Sequence, residues 1–274
     1  MEVLMSNWSN VVQSLPEKYV FPPEKRPGKD VFPVVNDVPV IDLETAEGHG
    51  RGEIVHQILH ACQQFGFFQV INHGVPISLM DDTMNVLKEF FGKLLVRIQL
   101  KWVRSYCLDF GCISEGLGLK LGYFDGELSK IQLLSVNHHI PCPNPSLTLG
   151  MPEHCDPNLI SMLQQCPIPG LQVFHQGQWM NVDPMPNAFV VIPGLQLKVI
   201  SNGKFSSPIH RVMTHPKEGR TTMGTFLIPS HGMLIHPPHH DPLYRAFTYQ
   251  EFFTTFTKNN CDADFALEYF KNKT

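Results

Sequence analysis

The sequence predicts a mainly β protein with flanking helices, in which a jelly-roll core follows a small α/β N-terminal region. From about residue 130 onward, some eight short strand-like runs alternate with turns rich in glycine, proline and asparagine, as in a double-sheet β fold. Before that point, apolar residues recur at helical spacing on both sides of one compact strand. With 43% hydrophobic and 17% charged residues, the 274-residue chain can bury a sizeable core, which excludes wholesale disorder.

The N-terminal α/β region is predicted from two helical patterns. Between Glu53 and Phe65 the apolar residues follow helical spacing up to Gly66, and residues 67–71 form a compact apolar strand. A second helix is predicted over residues 78–91. Residues 92–114 carry conflicting patterns, because apolar residues alternate as in a strand while basic residues recur at helical spacing. The sequence therefore predicts no single structure for that segment.

The β-rich part is followed by a segment with helical character. Closely spaced aromatic residues after position 246 predict a closing helix that packs through its aromatic side chains. The strands predicted before it cover residues 131–139, 159–165, 171–175, 179–182, 189–192, 198–201, 210–214 and 221–228.

Charge and cysteine content narrow the class of protein further. The net charge of −4 comes without a dense basic block, so we expect no nucleic-acid partner. No run of 18 apolar residues occurs, so we expect no membrane partner. Seven scattered cysteines, an odd number, indicate free thiols in a reducing compartment rather than a disulfide framework. We expect a cytoplasmic monomer that acts on a small molecule.

Three side chains carry the predicted chemistry. In an extended segment, His154 and Asp156 point to the same face because they are two residues apart. His210, within a later predicted strand, can complete a triangle with them. Two imidazoles and one carboxylate on one face of an octahedron leave three positions open, which is the ligand set of non-haem Fe(II) oxygenases. A His-x-Asp tripeptide alone is common, so this interpretation depends on its β-rich context.

Ten residues beyond that histidine lies a pattern suited to a carboxylate. Arg220 offers a planar guanidinium fork, and the Thr222 hydroxyl lies two residues on, on the same strand face. Together with a three-residue metal face, this pair indicates an iron site that uses a dicarboxylic co-substrate. Phe226 lies four residues further along and therefore on the same strand face as Thr222, where it either lines the pocket or packs in the core.

These features resemble those of the plant Fe(II)- and 2-oxoglutarate-dependent dioxygenases. The resemblance covers nearly the whole chain in an ordered set of motifs, which are Phe65–Pro76, Pro141-Cys-Pro143, His154-x-Asp156, Ser201-Asn-Gly203, His210-Arg-Val212, Arg220-x-Thr222 and Tyr249-x-Glu-Phe252. The resemblance implies three parts, namely an N-terminal non-haem dioxygenase region (1–114), a double-stranded β-helix core (115–232) and a C-terminal helical closing segment (233–274).

The resemblance also implies a set of ligands and roles. Fe(II) would be bound by His154, Asp156 and His210, and 2-oxoglutarate would chelate it while Arg220 and Thr222 hold the far carboxylate. O2 would be the oxidant, and ascorbate would serve as reductant. The reaction implied is hydroxylation or epoxidation of a small plant specialised metabolite, and more narrowly of a tropane-type alkaloid.

The sequence departs from the family pattern in four places. The family has Asn-x-Tyr before Pro-Cys-Pro, whereas here Asn137 is followed by His139 in the tyrosine position. That histidine either donates a hydrogen bond to 2-oxoglutarate or acts as an additional ligand. Thr222 replaces a serine and keeps the hydroxyl, and residues 192–195 (Ile-Pro-Gly-Leu) replace an Asn-x-Gly-Asp turn. Between positions 91 and 115 the family carries several dozen more residues, including strands that cover the substrate pocket.

Two alternatives remain beside an active oxygenase. The first is a truncated, catalytically impaired paralogue that retains the metal site. The second is a metal-binding β-barrel without redox chemistry, against which the carboxylate-binding pair argues, because metal storage needs no such clamp. A further histidine cluster (His236, His239 and His240) is interrupted by prolines, which predicts a surface loop rather than a metal site.

Overall fold

The computed structural model describes residues 14–28, 38–92 and 103–273. Its N-terminal part is the predicted small α/β layer, comprising β1 (Val40–Asp42), α1 (Arg51–Gln64), β2 (Phe68–Ile71), α2 (Ile77–Gly92) and α3 (Val103–Gly116). The segment with conflicting patterns is thus helical from position 103, while residues 93–102 lie outside the described part. The described helices include none that is both long and apolar enough to cross a bilayer.

The core is the predicted jelly roll of two facing sheets. Its strands are β3 (Ile131–His139), β4 (Met151–His154), β5 (Ile160–Gln165), β6 (Leu171–His175), β7 (Gln178–Asn181), β8 (Phe189–Pro193), β9 (His210–Val212) and β10 (Arg220–Ile228). The larger sheet, which also includes the two N-terminal strands, has the order β1-β2-β8-β5-β10-β3, and the smaller has the order β4-β9-β6-β7. Only β1 and β2 pair in parallel among the described pairs within these sheets.

Side-chain alternation gives the larger sheet two different faces. Val190 on β8 faces the smaller sheet and packs in one buried cluster with Leu171 and Val173 of β6. Its neighbour Val191 belongs instead to the main core cluster, which the helices cover. At the other end of the larger sheet, β3 pairs only with β10 among the described strands, so it forms an edge.

One predicted strand is wrong, because residues 195–200 form the short helix α4 (Leu195–Ile200). Five of its six residues are buried, and a short apolar run that is buried on all sides does not distinguish a strand from a helix. The helix ends where Asn202 and Gly203 adopt φ values of 56° and 78°. The Gly203 N–H donates to the carbonyl of Lys198 at 2.9 Å, a helix-terminating turn that glycine readily adopts.

The C-terminal segment closes the core with two helices. It contains β11 (Leu234–Ile235), β12 (Phe247–Thr248), α5 (Tyr249–Lys258) and α6 (Ala263–Phe270). Thr248 and Asp262 cap the helices by accepting hydrogen bonds from backbone N–H groups of the first turn. The rings of Phe252 and Phe270 lie 5.7 Å apart, so aromatic packing holds the two helices together, where the sequence predicts a single aromatic closing helix.

Candidate metal centre

The jelly roll brings the two histidines of the predicted triad face to face. His154 is the last residue of β4 and His210 the first of β9, and the two are direct partners in this antiparallel pair. Their ring centroids are 4.2 Å apart. Asp156 follows two residues after His154, at the start of the loop that leads to β5. Strand pairing therefore unites residues that are 54 to 56 positions apart.

The triad has the geometry of a metal site. Oδ1 of Asp156 lies 3.6 Å from Nε2 of His154 and 3.7 Å from Nε2 of His210. Within the described residues, this is the only group of at least three such side chains whose ligand atoms all lie within 4.8 Å of one another. The arrangement can bind one cation through two nitrogens and one oxygen.

Backbone carbonyls orient both imidazoles. Nδ1 of His154 contacts the carbonyl of Pro152 at 2.8 Å, and Nδ1 of His210 contacts the carbonyl of Pro208 at 3.2 Å. A carbonyl oxygen only accepts, so in each ring Nδ1 carries the proton and donates it. Both Nε2 lone pairs are thereby free to face Asp156, the arrangement expected of metal-binding histidines.

The site is buried on one side and open on the other. Asp156 and His210 are buried, whereas the side chain of His154 is 31% exposed. Burial lowers the pKa of His154, and the neighbouring charge of His210 lowers it further. This favours the neutral imidazole, the form that binds a metal.

Ser161 holds the carboxylate of Asp156 and Asn158 orients Ser161, two roles that are not predicted from the sequence. The hydroxyl of Ser161, the second residue of β5, donates to Oδ2 of Asp156 at 2.5 Å. The side-chain amide of Asn158 donates in turn to that hydroxyl at 3.1 Å. Both residues follow the His-x-Asp motif in the same segment, so strand parity could have placed Ser161 on the inner face but could not have shown its contact with Asp156.

A cavity of about 70 Å³ joins the triad to other predicted site residues. Asn137, Thr222 and Phe226 line it together with the triad and Arg220. Phe226 therefore lies in the cavity wall, one of the two positions that its parity allows.

Arg220 is a buried cation with free donors. It is only 1% exposed, and its Nη2 donates to Oε1 of Gln165 at 2.8 Å. Among the described residues, its Nε and Nη1 have no hydrogen-bond partner. Burial lowers its pKa to about 10, which leaves it charged at neutral pH. A desolvated guanidinium with two free donors fits an incoming carboxylate.

His139 lies beside this arginine, since the two residues are partners across β3 and β10. The ring packs so closely on Gly150 that a Cβ there would lie 2.4 Å from Cδ2 of His139. Burial, followed by the charge of Arg220, lowers the pKa of His139 to about 4. The ring is neutral at physiological pH, and the residue is not one of those that line the cavity.

A jelly roll with two histidines and one carboxylate converging beside a buried arginine defines the class of non-haem, metal-dependent oxygenases. The comparisons with known proteins narrow the class. Residues 131–229 match the model of the 2OG-Fe(II) oxygenase superfamily, and residues 38–97 match that of the non-haem dioxygenase in morphine synthesis N-terminal family. The chain belongs to the 2OG-Fe(II) oxygenase superfamily and is a dioxygenase that depends on Fe(II) and 2-oxoglutarate.

The similarity to named relatives extends over essentially the whole chain. The sequence is 36% identical to hyoscyamine 6-dioxygenase of Hyoscyamus niger over 99% of both chains. It is 31% identical to Protein DMR6-LIKE OXYGENASE 2 of Arabidopsis thaliana over 100% of this chain and 99% of that protein. The fold matches the crystal structure of JOX2 in complex with 2OG, Fe and JA with a TM-score of 0.78 at 24% identity, over 100% and 98% of the chains.

The alignment with hyoscyamine 6-dioxygenase is longer than this chain. It spans 351 positions, so at least 77 of them have no counterpart among the 274 residues here. This agrees with the expectation that family members carry several dozen more residues.

Proposed function

We propose that this dioxygenase hydroxylates or epoxidises a small plant specialised metabolite, with His154, Asp156 and His210 as the Fe(II) ligands. The observation that carries the proposal is the single cavity shared by the triad and Arg220. One 2-oxoglutarate bound there would contact both the metal-binding face and the carboxylate-binding cation. When bound, iron and 2-oxoglutarate supply the activation of O2, and ascorbate would keep the iron reduced.

Several residues around the triad would each contact a different part of the co-substrate 2-oxoglutarate. Arg220 would donate from Nε and Nη1 to the far carboxylate of 2-oxoglutarate, because these two buried donors otherwise remain unsatisfied. Thr222 precedes Phe226 on the same inward face of β10 and would add its hydroxyl to that carboxylate. Asn137 lies opposite Thr222 on β3 and would contact the end of 2-oxoglutarate nearer the metal. His139 is the strand partner of Arg220 but does not line the cavity, so it is assigned no direct contact with 2-oxoglutarate.

For the organic substrate, the proposal is an alkaloid of the tropane type. Its support is the 36% identity to hyoscyamine 6-dioxygenase over nearly the full chain. Phe226 and Met151 line the cavity that contains the triad, and apolar side chains are the usual contacts for the hydrocarbon part of a ligand.

A cytoplasmic location is part of the proposal. Four cysteines of the described residues, Cys142, Cys155, Cys166 and Cys261, are free thiols, and the first three are buried. Burial raises the pKa of Cys155 to about 12, which leaves its thiol unreactive even though it lies between two proposed metal ligands. Free thiols of this kind are usual in a reducing compartment.

The test is the formation of succinate from 2-oxoglutarate with Fe(II), ascorbate and hyoscyamine in air. We expect turnover by the wild type and its loss in His210→Ala, because a metal held by two remaining ligands dissociates readily. His240→Ala, which alters an exposed histidine in a loop, is the matched control and should keep full activity. Full activity in His210→Ala would refute the assignment of the iron ligands.

The second candidate is a catalytically impaired paralogue that retains the metal site. Two observations favour it, namely the 77 or more alignment positions without a counterpart here and the 31% exposure of His154. An oxygenase site open to water is the condition that such enzymes avoid. Binding of Fe(II) and 2-oxoglutarate without any succinate formation would identify this case.

A further inference from the structure

Behind the metal-binding face, a buried chain of hydrogen bonds leads to Asp156. The exposed fractions of Asn158, Ser161 and Asp156 are 2%, 4% and 4%. Nδ2 of Asn158 donates to Oγ of Ser161 at 3.1 Å, and Oγ of Ser161 lies 2.5 Å from Oδ2 of Asp156. No bulk water competes for these groups, so the geometry of the chain depends on its three members.

The direction of this chain follows from the chemistry of its groups. Nδ2 of Asn158 is an amide nitrogen and can only donate, so the hydroxyl of Ser161 accepts from it and keeps its own hydrogen for another partner. Oδ2 of Asp156 is the charged and nearer acceptor, since Oδ1 of Asn158 lies 3.4 Å away. A second donation from Nδ2 to the carbonyl of Ile160, at 2.8 Å, fixes the amide itself.

The two oxygens of the carboxylate therefore differ. Oδ1 of Asp156 faces Nε2 of both histidines at 3.6 and 3.7 Å, while Oδ2 is engaged by Ser161. The terminal torsion of an aspartate is soft, so the carboxylate needs an external contact to hold one orientation. We propose that Ser161, oriented by Asn158, is a positioning residue that presents Oδ1 of Asp156 alone to the metal. This inference rests on the proposed role of Asp156 as a ligand.

The backbone of the loop is held separately, so a change at Ser161 acts on the side chain of Asp156. The N–H of Leu195 donates to the carbonyl of Asp156 at 2.8 Å, and the N–H of Gln196 donates to the carbonyl of Asn158 at 3.1 Å. Nε2 of Gln196 donates to the carbonyl of Pro157 at 2.8 Å. The first turn of α4 thus anchors residues 156–158 whatever side chain stands at position 161.

The experiment is a titration of the metal-free protein with Co(II), followed by visible absorption, which reports affinity and coordination without turnover. We expect Ser161→Ala to weaken Co(II) binding about 10- to 100-fold and to change the spectrum, as loss of a contact behind a ligand does elsewhere. Ser114→Ala removes another buried serine hydroxyl, one without a hydrogen-bond partner in the described residues, and should leave the titration unchanged.

Two further variants make the result decisive. Asn158→Ala leaves the contact between Ser161 and Asp156 in place but removes its orienting donor, so we expect Co(II) binding to weaken about 2- to 10-fold. Asp156→Ala tests the ligand itself and should weaken binding more than either. Wild-type affinity and spectrum in both Ser161→Ala and Asn158→Ala, with Asp156→Ala impaired, would overturn the positioning role alone. Unchanged binding in Asp156→Ala would overturn the ligand assignment.

Discussion

Arg220 is available to a ligand because its partner is neutral. Gln165 accepts from Nη2 at 2.8 Å and fixes the guanidinium plane, yet it adds no negative charge. A carboxylate in the same place would satisfy the buried cation and compete with the far carboxylate of 2-oxoglutarate. The neutral amide therefore positions the arginine while leaving its charge for the co-substrate.

Gln165→Glu tests whether the neutral amide at position 165 keeps the charge of Arg220 available to 2-oxoglutarate. We expect the KM for 2-oxoglutarate to rise about tenfold or more, because the new carboxylate pairs with Arg220, while kcat at saturating 2-oxoglutarate changes much less. Steady-state kinetics over a range of 2-oxoglutarate concentrations measure both. Gln132→Glu introduces the same charge at an exposed position of β3 and should have no such effect. Equal KM values for Gln165→Glu and the wild type would contradict the role of the neutral amide.

His139 should make stability depend on pH. Burial and Arg220 lower its pKa from 6.5 to about 4, so the folded state favours the neutral ring. The resulting stability is complete above pH 6.5 and falls as the pH decreases toward 4, because the unfolded chain then binds the extra proton. The full loss amounts to about 3 kcal/mol. Urea unfolding between pH 7 and pH 4 measures it.

His139→Gln is the comparison for that measurement. Burial also lowers the pKa of His73, His138 and His154, and these residues remain in the variant, so only the difference between the two pH profiles belongs to His139. We expect a shallower decrease in the free energy of unfolding for the variant. Parallel profiles would show that the His139 ring can be protonated where it lies.

Whether a site residue could be predicted from the sequence depended on how far apart along the chain its contacts lie. The pair His154 and Asp156 follows from alternation along one extended segment, and Arg220 with Thr222 follows from the same rule on another strand. Ser161 and Gln165 could not be recognised, because their contacts depend on loop closure after Asp156 and on strand pairing. Neither is visible in local periodicity.

Among the elements, α4 has an unexpected part in the site. Its first turn binds the carbonyls of the loop that carries Asp156, and Gly194 precedes it at very close approach to that loop. A Cβ on Gly194 would lie 2.1 Å from the carbonyl oxygen of Asn158. Glycine is needed here for space rather than for an unusual backbone conformation, since its φ is −86°.

Gly194→Ala should therefore disturb both stability and the metal site. We expect a loss of about 1–3 kcal/mol in the free energy of unfolding, typical of overpacking, together with weaker Co(II) binding as the loop shifts. Gly232→Ala is the control, because a Cβ there meets nothing within 4 Å. Urea unfolding and Co(II) titration measure the two effects. Identical values for both variants would show that the loop moves aside at no cost.

The strands were largely predictable as elements, and α4 shows where prediction failed. Turn residues separate most of the strands in the sequence. Residues 195–200 are a short and almost fully buried run, which local pattern does not distinguish from a strand. Hydrogen bonds from Leu195 and Gln196 to the Asp156 loop satisfy N–H groups of the first turn, a contact between distant segments that local sequence does not encode.

At the scale of the whole molecule, the chain combines an intact metal-binding face with a shorter sequence than its relatives. The cavity, the triad and Arg220 all belong to strands or loops after residue 130. The conflicting sequence pattern occurs before that point, between residues 92 and 114, and β3 forms an edge of the larger sheet among the described strands. We therefore expect the chain to bind iron and 2-oxoglutarate, whether or not this binding leads to oxidation of an organic substrate.

Calorimetric titration of 2-oxoglutarate into the protein under anaerobic conditions tests the shared site most directly. With Fe(II) present we expect one molecule bound per chain, with an affinity at least about tenfold higher than without the metal, because one ligand contacts both the metal and Arg220. Arg220→Ala should weaken binding about 10- to 150-fold, as expected for loss of charged hydrogen bonds. The same affinity with and without Fe(II), and in Arg220→Ala, would contradict a single site built from the triad and the buried arginine.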